Sequence, residues 1–174
     1  MKPDFAPWLQ FESRLAAWMQ SFATSALRFR AGRQAIPGFP SDGFRADALL
    51  TNSQVLLALE VEVKQTHPDT NVGKYWLLSE HHEYKKIVLF HVYTPAYSSY
   101  GWRKTLGEFY ARRMSAELPF EYVLLDKKSS PDTETAFAEV CAVLELRIRQ
   151  EFSHELAPGT VQQIAAGDAR NARA

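Results

Sequence analysis

The sequence predicts an α/β sandwich around a mixed sheet of four or five strands, and three observations predict it. Helical and extended segments alternate along the chain, two extended segments are joined by a short polar turn, and the later extended segments are separated by whole helices. A short turn joins antiparallel strands, whereas a helical crossover joins parallel ones. With 174 residues, 46% of them hydrophobic, the chain can fill one core well but not two. A single domain is therefore expected over residues 1–156, followed by a small, polar tail over 157–174 that is expected to be disordered.

Near the N-terminus, Trp8, Phe11, Leu15, Trp18, Phe22, Ala26 and Phe29 recur every three or four residues, the stripe of an amphipathic helix, and Pro7 suits its first turn. The stretch Ala31 to Gly43 holds three glycines and two prolines and predicts a loop. From Phe44 the pattern becomes extended: FRADALL, a polar turn at Thr51, Asn52 and Ser53, then QVLLALEVEVKQ, together a hairpin. Period-two alternation puts Val55, Leu57, Leu59, Val61 and Val63 on one face of the second strand, and Leu56, Ala58, Glu60, Glu62 and Lys64 on the other.

After His67 and Pro68, Asp69 caps a helix through NVGKYWLLSEHH, and KKIVLFHVYT follows as a buried strand. WRKTLGEFYARRMSAEL predicts another helix and FEYVLLD another buried strand. Ser130 and Pro131 are expected to cap and open a last helix reaching about Glu155, with Phe137, Cys141, Leu144 and Ile148 toward the core.

No apolar run is long enough to span a bilayer, and MKPDFAPW lacks the pattern of a signal peptide, so a cytoplasmic, membrane-free protein is expected. The single cysteine, Cys141, excludes an internal disulfide and a cysteine-rich metal site. Formal net charge is zero, yet from Ser13 to Ser41 there is no acid, while Arg14, Arg28, Arg30 and Arg33 occur, so a local basic surface is available.

The chemistry-bearing residues gather around the hairpin. Asp47 belongs to its first strand and Glu62, Val63, Lys64 end its second, so pairing across the turn brings two carboxylates and an ammonium together. Hard divalent cations take oxygen ligands, and phosphodiester hydrolysis uses such a cation held by carboxylates. A lysine two residues beyond one of them can orient the attacking water or stabilise charge developing on phosphate.

In these residues and in the order of its elements, from about Glu12 to Asp126, the chain resembles the PD-(D/E)xK nuclease superfamily, the restriction-endonuclease-like fold. The resemblance implies a Mg²⁺-dependent (or Mn²⁺-dependent) endonuclease or exonuclease acting on nucleic acid, DNA in preference to RNA, with Asp47, Glu62 and Lys64 as its catalytic residues. It implies Asp47 and Glu62 as metal ligands, with Glu60 and Glu12 as further candidates, and Gln65, Lys74 and Tyr75 near substrate phosphate. Ala46 stands where the motif's proline would be. A domain this small covers little duplex, so cutting both strands calls for a homodimer.

Blander readings stand beside these. A Glu, Glu, Lys face is also what a solvated strand edge with a weak salt bridge looks like. Adjacent His81 and His82 point about 100° apart on a helix and do not chelate together. His67 suits a turn, and His91, inside an apolar strand, suits a hydrogen-bonded sheet position. Arg103, Lys104, Arg112 and Arg113 fit either a solvated helix face or phosphate contacts. The rival function is a catalytically inactive module that keeps the fold to bind nucleic acid or a partner protein.

Overall fold

The structure, a computed structural model, describes residues 5–32, 34–39, 43–64, 67–81, 84–96 and 102–156. Gln65, His82 and the tail over 157–174 lie outside the described residues. The elements run α1 (Ala6–Gln20), β1 (Arg28–Ala31), β2 (Ala48–Thr51), β3 (Val55–Glu62), α2 (Pro68–His81), β4 (Lys86–Tyr93), α3 (Trp102–Glu117), β5 (Phe120–Asp126) and α4 (Thr133–Glu151). They form one five-stranded mixed sheet in the order β1-β2-β3-β4-β5. The first three strands pair antiparallel, and β3, β4 and β5 pair parallel.

Alternation along β3 sorts the core into two layers. Leu57, Leu59, Val61 and Val63 pack with Phe11, Leu15 and Met19 of α1 and Val140, Leu144 and Ile148 of α4. Leu56 and Ala58 pack on the opposite face with Val72, Tyr75 and Leu78 of α2 and Ala111 and Met114 of α3. Both crossover helices lie on one face because successive right-handed crossovers between neighbouring parallel strands return to the same side. The architecture is thus an α/β/α sandwich, with β3 and β4 buried on both faces.

The first helix is shorter than its aromatic stripe predicts. It ends at Gln20, and Phe29 lies on β1 opposite Leu50. Between them the Thr24 hydroxyl accepts from the backbone N–H groups of Ala26 (3.2 Å) and Leu27 (3.0 Å), closing a turn. Residues 28–31 then satisfy their backbone groups on the edge of β2 instead of within a helix. Aromatic spacing carried on through the turn although the helix did not.

The hairpin forms as expected, but β2 begins at Ala48, so Asp47 stands one residue before the strand and not within it. Asp47 Oδ2 accepts the Val61 N–H at 2.7 Å, taking the place of the next backbone rung beyond the Ala48–Leu59 pair. At the turn, Ser53 adopts a left-handed φ of 76°, and Asn52 Oδ1 accepts from Gln54 N and Val55 N. Likewise β3 ends at Glu62, which leaves Lys64 beyond the strand.

The cap of α4 is Asp132, whose Oδ1 accepts from Thr135 N at 2.7 Å, so Ser130 and Pro131 precede the helix and do not open it. A carboxylate three residues from the N–H it caps fits this role at least as well as a serine does. The helix stops at Glu151, and its fully buried stripe is Ala136, Val140, Leu144 and Ile148. Phe137 and Cys141, one position round, are half-buried beside it. Arg14 reaches from α1 to Glu134 with both guanidinium ends, one of them Nη2 to Oε2 at 2.9 Å, joining the two outer helices. No helix among the described residues is long and apolar enough to cross a membrane.

Burial pushes the Cys141 thiol up to about 12, against the opposing pull of Arg14. The thiolate is the reactive form. Iodoacetamide at pH 8 is therefore expected to label native protein at least about ten-fold more slowly than urea-unfolded protein, as measured by mass spectrometry over time; equal rates would show the thiol to be freely ionising.

Candidate active site

The polar end of β3 is buried. Glu60 is 2% exposed and Glu62 0%, both on the face toward α2 and α3. Carboxylates in such a place must find donors or counter-charges, and the two find different ones.

Glu60 Oε1 accepts from the Lys74 ammonium at 2.7 Å and from the Tyr75 hydroxyl at 2.6 Å. Lys74 is itself only 5% exposed, and its ammonium also donates to the Arg45 carbonyl at 2.6 Å and to Asn71 Oδ1 at 3.3 Å. Burial outweighs the attraction of Lys74 and pushes the Glu60 carboxyl up to about 8. Burial, reinforced by the Glu60 charge, likewise raises Tyr75 well above its ordinary value. Lys74 and Tyr75 thus lie inside the protein, engaged with Glu60, and not on its surface.

Glu62 is arranged differently. Its Oε1 accepts from Asn71 Nδ2 at 2.8 Å and stands 2.6 Å from His91 Nε2, while Oε2 is buried without a hydrogen-bond partner among the described residues. Its backbone carbonyl accepts from the Thr94 hydroxyl at 2.8 Å, which pins the end of β3 to the end of β4. His91, expected as a hydrogen-bonded sheet histidine, is fully buried, with Tyr122 Oη 2.9 Å from its Nδ1.

Two further carboxylates approach from the β2 side. Desolvation raises the Asp47 carboxyl, opposed by its bond from Val61 N and by the Lys74 charge and reinforced by the Glu62 charge. Desolvation, then the charges of Asp47 and Glu62, push Glu12 of α1 up to about 7. Glu12 and Asp47 line one cleft of about 340 Å³, together with Ser13 and Gln20 of α1 and Phe29 of β1. Three carboxylates from three separate segments therefore lie within electrostatic reach of one another.

Among the described residues, no three His, Cys, Asp or Glu side chains are already drawn together as a metal-holding group. The donor chemistry nevertheless suits a hard divalent cation: all three groups offer oxygen, Asp47 and Glu62 both raise Glu12, Glu62 also raises Asp47, and Glu62 holds a buried oxygen with no hydrogen-bond partner among the described residues. A cation placed among them would offset the burial and the neighbouring charge that raise Glu12 and Asp47.

The remaining sequence-derived residues are scattered. Lys64 is exposed past the end of β3, its ammonium 5.2 Å from the Phe5 ring centroid. His67 and His81 are exposed before and at the end of α2. On α3, Arg103 pairs with Asp69 at 2.9 Å, Lys104 with Asp126 at 2.9 Å, and Arg113 with Glu117 at 2.6 Å, while Arg112 is exposed. Asn71, Tyr122 and Thr94 were not singled out from sequence. A histidine within an apolar strand did signal that buried polar partners had to exist.

Removing Lys74 would strand Glu60. Lys74→Met is expected to lower unfolding free energy by roughly 3 kcal/mol, and adding Glu60→Gln to recover part of it, with a coupling of at least about 0.5 kcal/mol in the double-mutant cycle. Urea denaturation of the four proteins measures both, and additive losses would show the pair to be uncoupled.

No protein-family model, curated protein or solved structure matches this chain.

Proposed function

We propose that the protein is a metal-dependent nuclease that hydrolyses phosphodiester bonds, with DNA as its expected substrate. The observation that carries this reading is that Glu12, Asp47 and Glu62, from α1, the approach to β2 and the end of β3, lie within electrostatic reach of one another, with Glu12 pushed up to about 7 by burial and by the other two. The resemblance to the PD-(D/E)xK superfamily, drawn from Asp47, Glu62 and Lys64, supports it.

In this reading Asp47 and Glu62, with Glu12 beside them, hold Mg²⁺ or Mn²⁺. Bound there, the cation would polarise a phosphoryl oxygen and acidify water. Glu60, already committed to Lys74 and Tyr75, supports the strand end and does not coordinate. Lys64, on exposed chain two residues past Glu62, meets the substrate from the solvent side, where its ammonium orients water and offsets charge developing on phosphate. Lys74 is held inside and fixes the Asp47 approach through the Arg45 carbonyl. A pair of such domains would address the two strands of a duplex.

Cleavage of supercoiled plasmid and of single-stranded DNA with Mg²⁺ or Mn²⁺ tests the reading directly. Wild-type protein is expected to cut at least one of them, and Asp47→Asn and Lys64→Ala, confirmed folded by circular dichroism, to fall to the level of an EDTA control. An inert wild type that still binds DNA would make the chain a binding module, and variants as active as wild type would remove these residues from the chemistry.

A further inference from the structure

We infer that His91 is a positioning residue for Glu62, turning its carboxylate so that Oε2 is the oxygen offered to a divalent cation. The inference rests on Glu62 being a metal ligand.

Both nearby donors meet the same carboxylate oxygen: Asn71 Nδ2 at 2.8 Å and His91 Nε2 at 2.6 Å converge on Oε1. To donate there, Nε2 must carry hydrogen, so in the neutral ring Nδ1 is the acceptor, and the Tyr122 hydroxyl at 2.9 Å supplies its hydrogen. The bond to Glu62 thereby selects the tautomer, and the Tyr122 hydroxyl, which can donate as well as accept, satisfies it. The ring is flanked by aromatics as well, its centroid 4.7 Å from that of Tyr93 at a 44° tilt and 5.8 Å from that of Tyr122 edge to face.

A carboxylate kept only for structure would gain most by sharing donors between its two oxygens, because a buried acceptor left bare is costly. Here Oε2 is buried and has no hydrogen-bond partner among the described residues. The donors come from α2 and β4, whereas Asp47 and Glu12, the carboxyls that the Glu62 charge raises, come from the other side of β3. A histidine that fixes a ligand in this way acts on metal affinity, through geometry and through the charge left on the free oxygen.

Isothermal titration with Mn²⁺ alone, backed by the Mn²⁺ electron paramagnetic resonance signal, tests this on the full chain without DNA. His91→Phe is expected to weaken Mn²⁺ binding roughly 10- to 100-fold, Tyr122→Phe less, and His91→Gln, which restores an N–H donor, to recover most of the loss. Should His91→Phe fail to fold, Asn71→Ala removes the other donor to the same oxygen, and a several-fold weakening is expected. Folded His91→Phe or Asn71→Ala with wild-type affinity, or His91→Gln as weak as His91→Phe, would overturn the inference. If Glu62→Gln abolishes Mn²⁺ binding while the His91 variants leave it intact, the inference alone fails; if wild-type protein binds no Mn²⁺, the metal reading fails with it.

Discussion

The ammonium of Lys74 is cut off from water, and much of the polar end of the sheet is organised around that fact. It reaches oxygens on three segments: Glu60 on β3, the Arg45 carbonyl on the approach to β2, and Asn71 one turn back on its own helix. A buried cation without such partners would destabilise the fold severely. Meeting its needs docks α2 against β3, brings Asn71 within reach of Glu62, and holds the chain two residues before Asp47. The geometry of the acid cluster therefore follows from an interaction that is not itself part of it.

Two residues apart on one strand face, Glu60 and Glu62 illustrate how environment divides labour between identical side chains. Glu60 gathers an ammonium and a phenol on one oxygen, and burial pushes its carboxyl up to about 8. Glu62 receives two donors on one oxygen and, among the described residues, none on the other. The first arrangement is complete and serves cohesion; the second leaves electron density available to something outside the chain. A β-strand offers this contrast readily, since residues at i and i+2 share a face while lying beside different neighbours.

Much of the fold was legible because burial writes a period into the sequence. The alternation of β3, the apolar runs of β4 and β5, and the helices between them gave both the mixed sheet and its sandwich class. What misled was periodicity without a backbone reason: Phe22, Ala26 and Phe29 keep helical spacing through a turn closed at Thr24, whose hydroxyl accepts from Ala26 and Leu27 and whose N–H donates to the Leu27 carbonyl. In the candidate site, the carboxylates could be named from their spacing, as could the lysine that follows them. The division between Lys64, exposed, and Lys74, buried, could not, because it depends on where α2 lands against β3. Asn71 was equally silent, since a polar residue in the first turns of a helix has many ordinary uses.

The strand order follows the chain order from one edge of the sheet to the other. Each strand can thus add to a neighbour already made, starting from the hairpin, and no strand has to be inserted between two others. Sheet growth of this kind keeps loop-closure costs small at every step. The exception is the outer layer, where Arg14 of α1 meets Glu134 of α4 across 120 residues. The sheet's polar end is in the same position: Tyr122, on the last strand, is the piece that completes the surroundings of Glu62. A ribosome-bound chain would accordingly carry its hairpin carboxylates through the making of α2, β4 and α3 before Tyr122 had emerged.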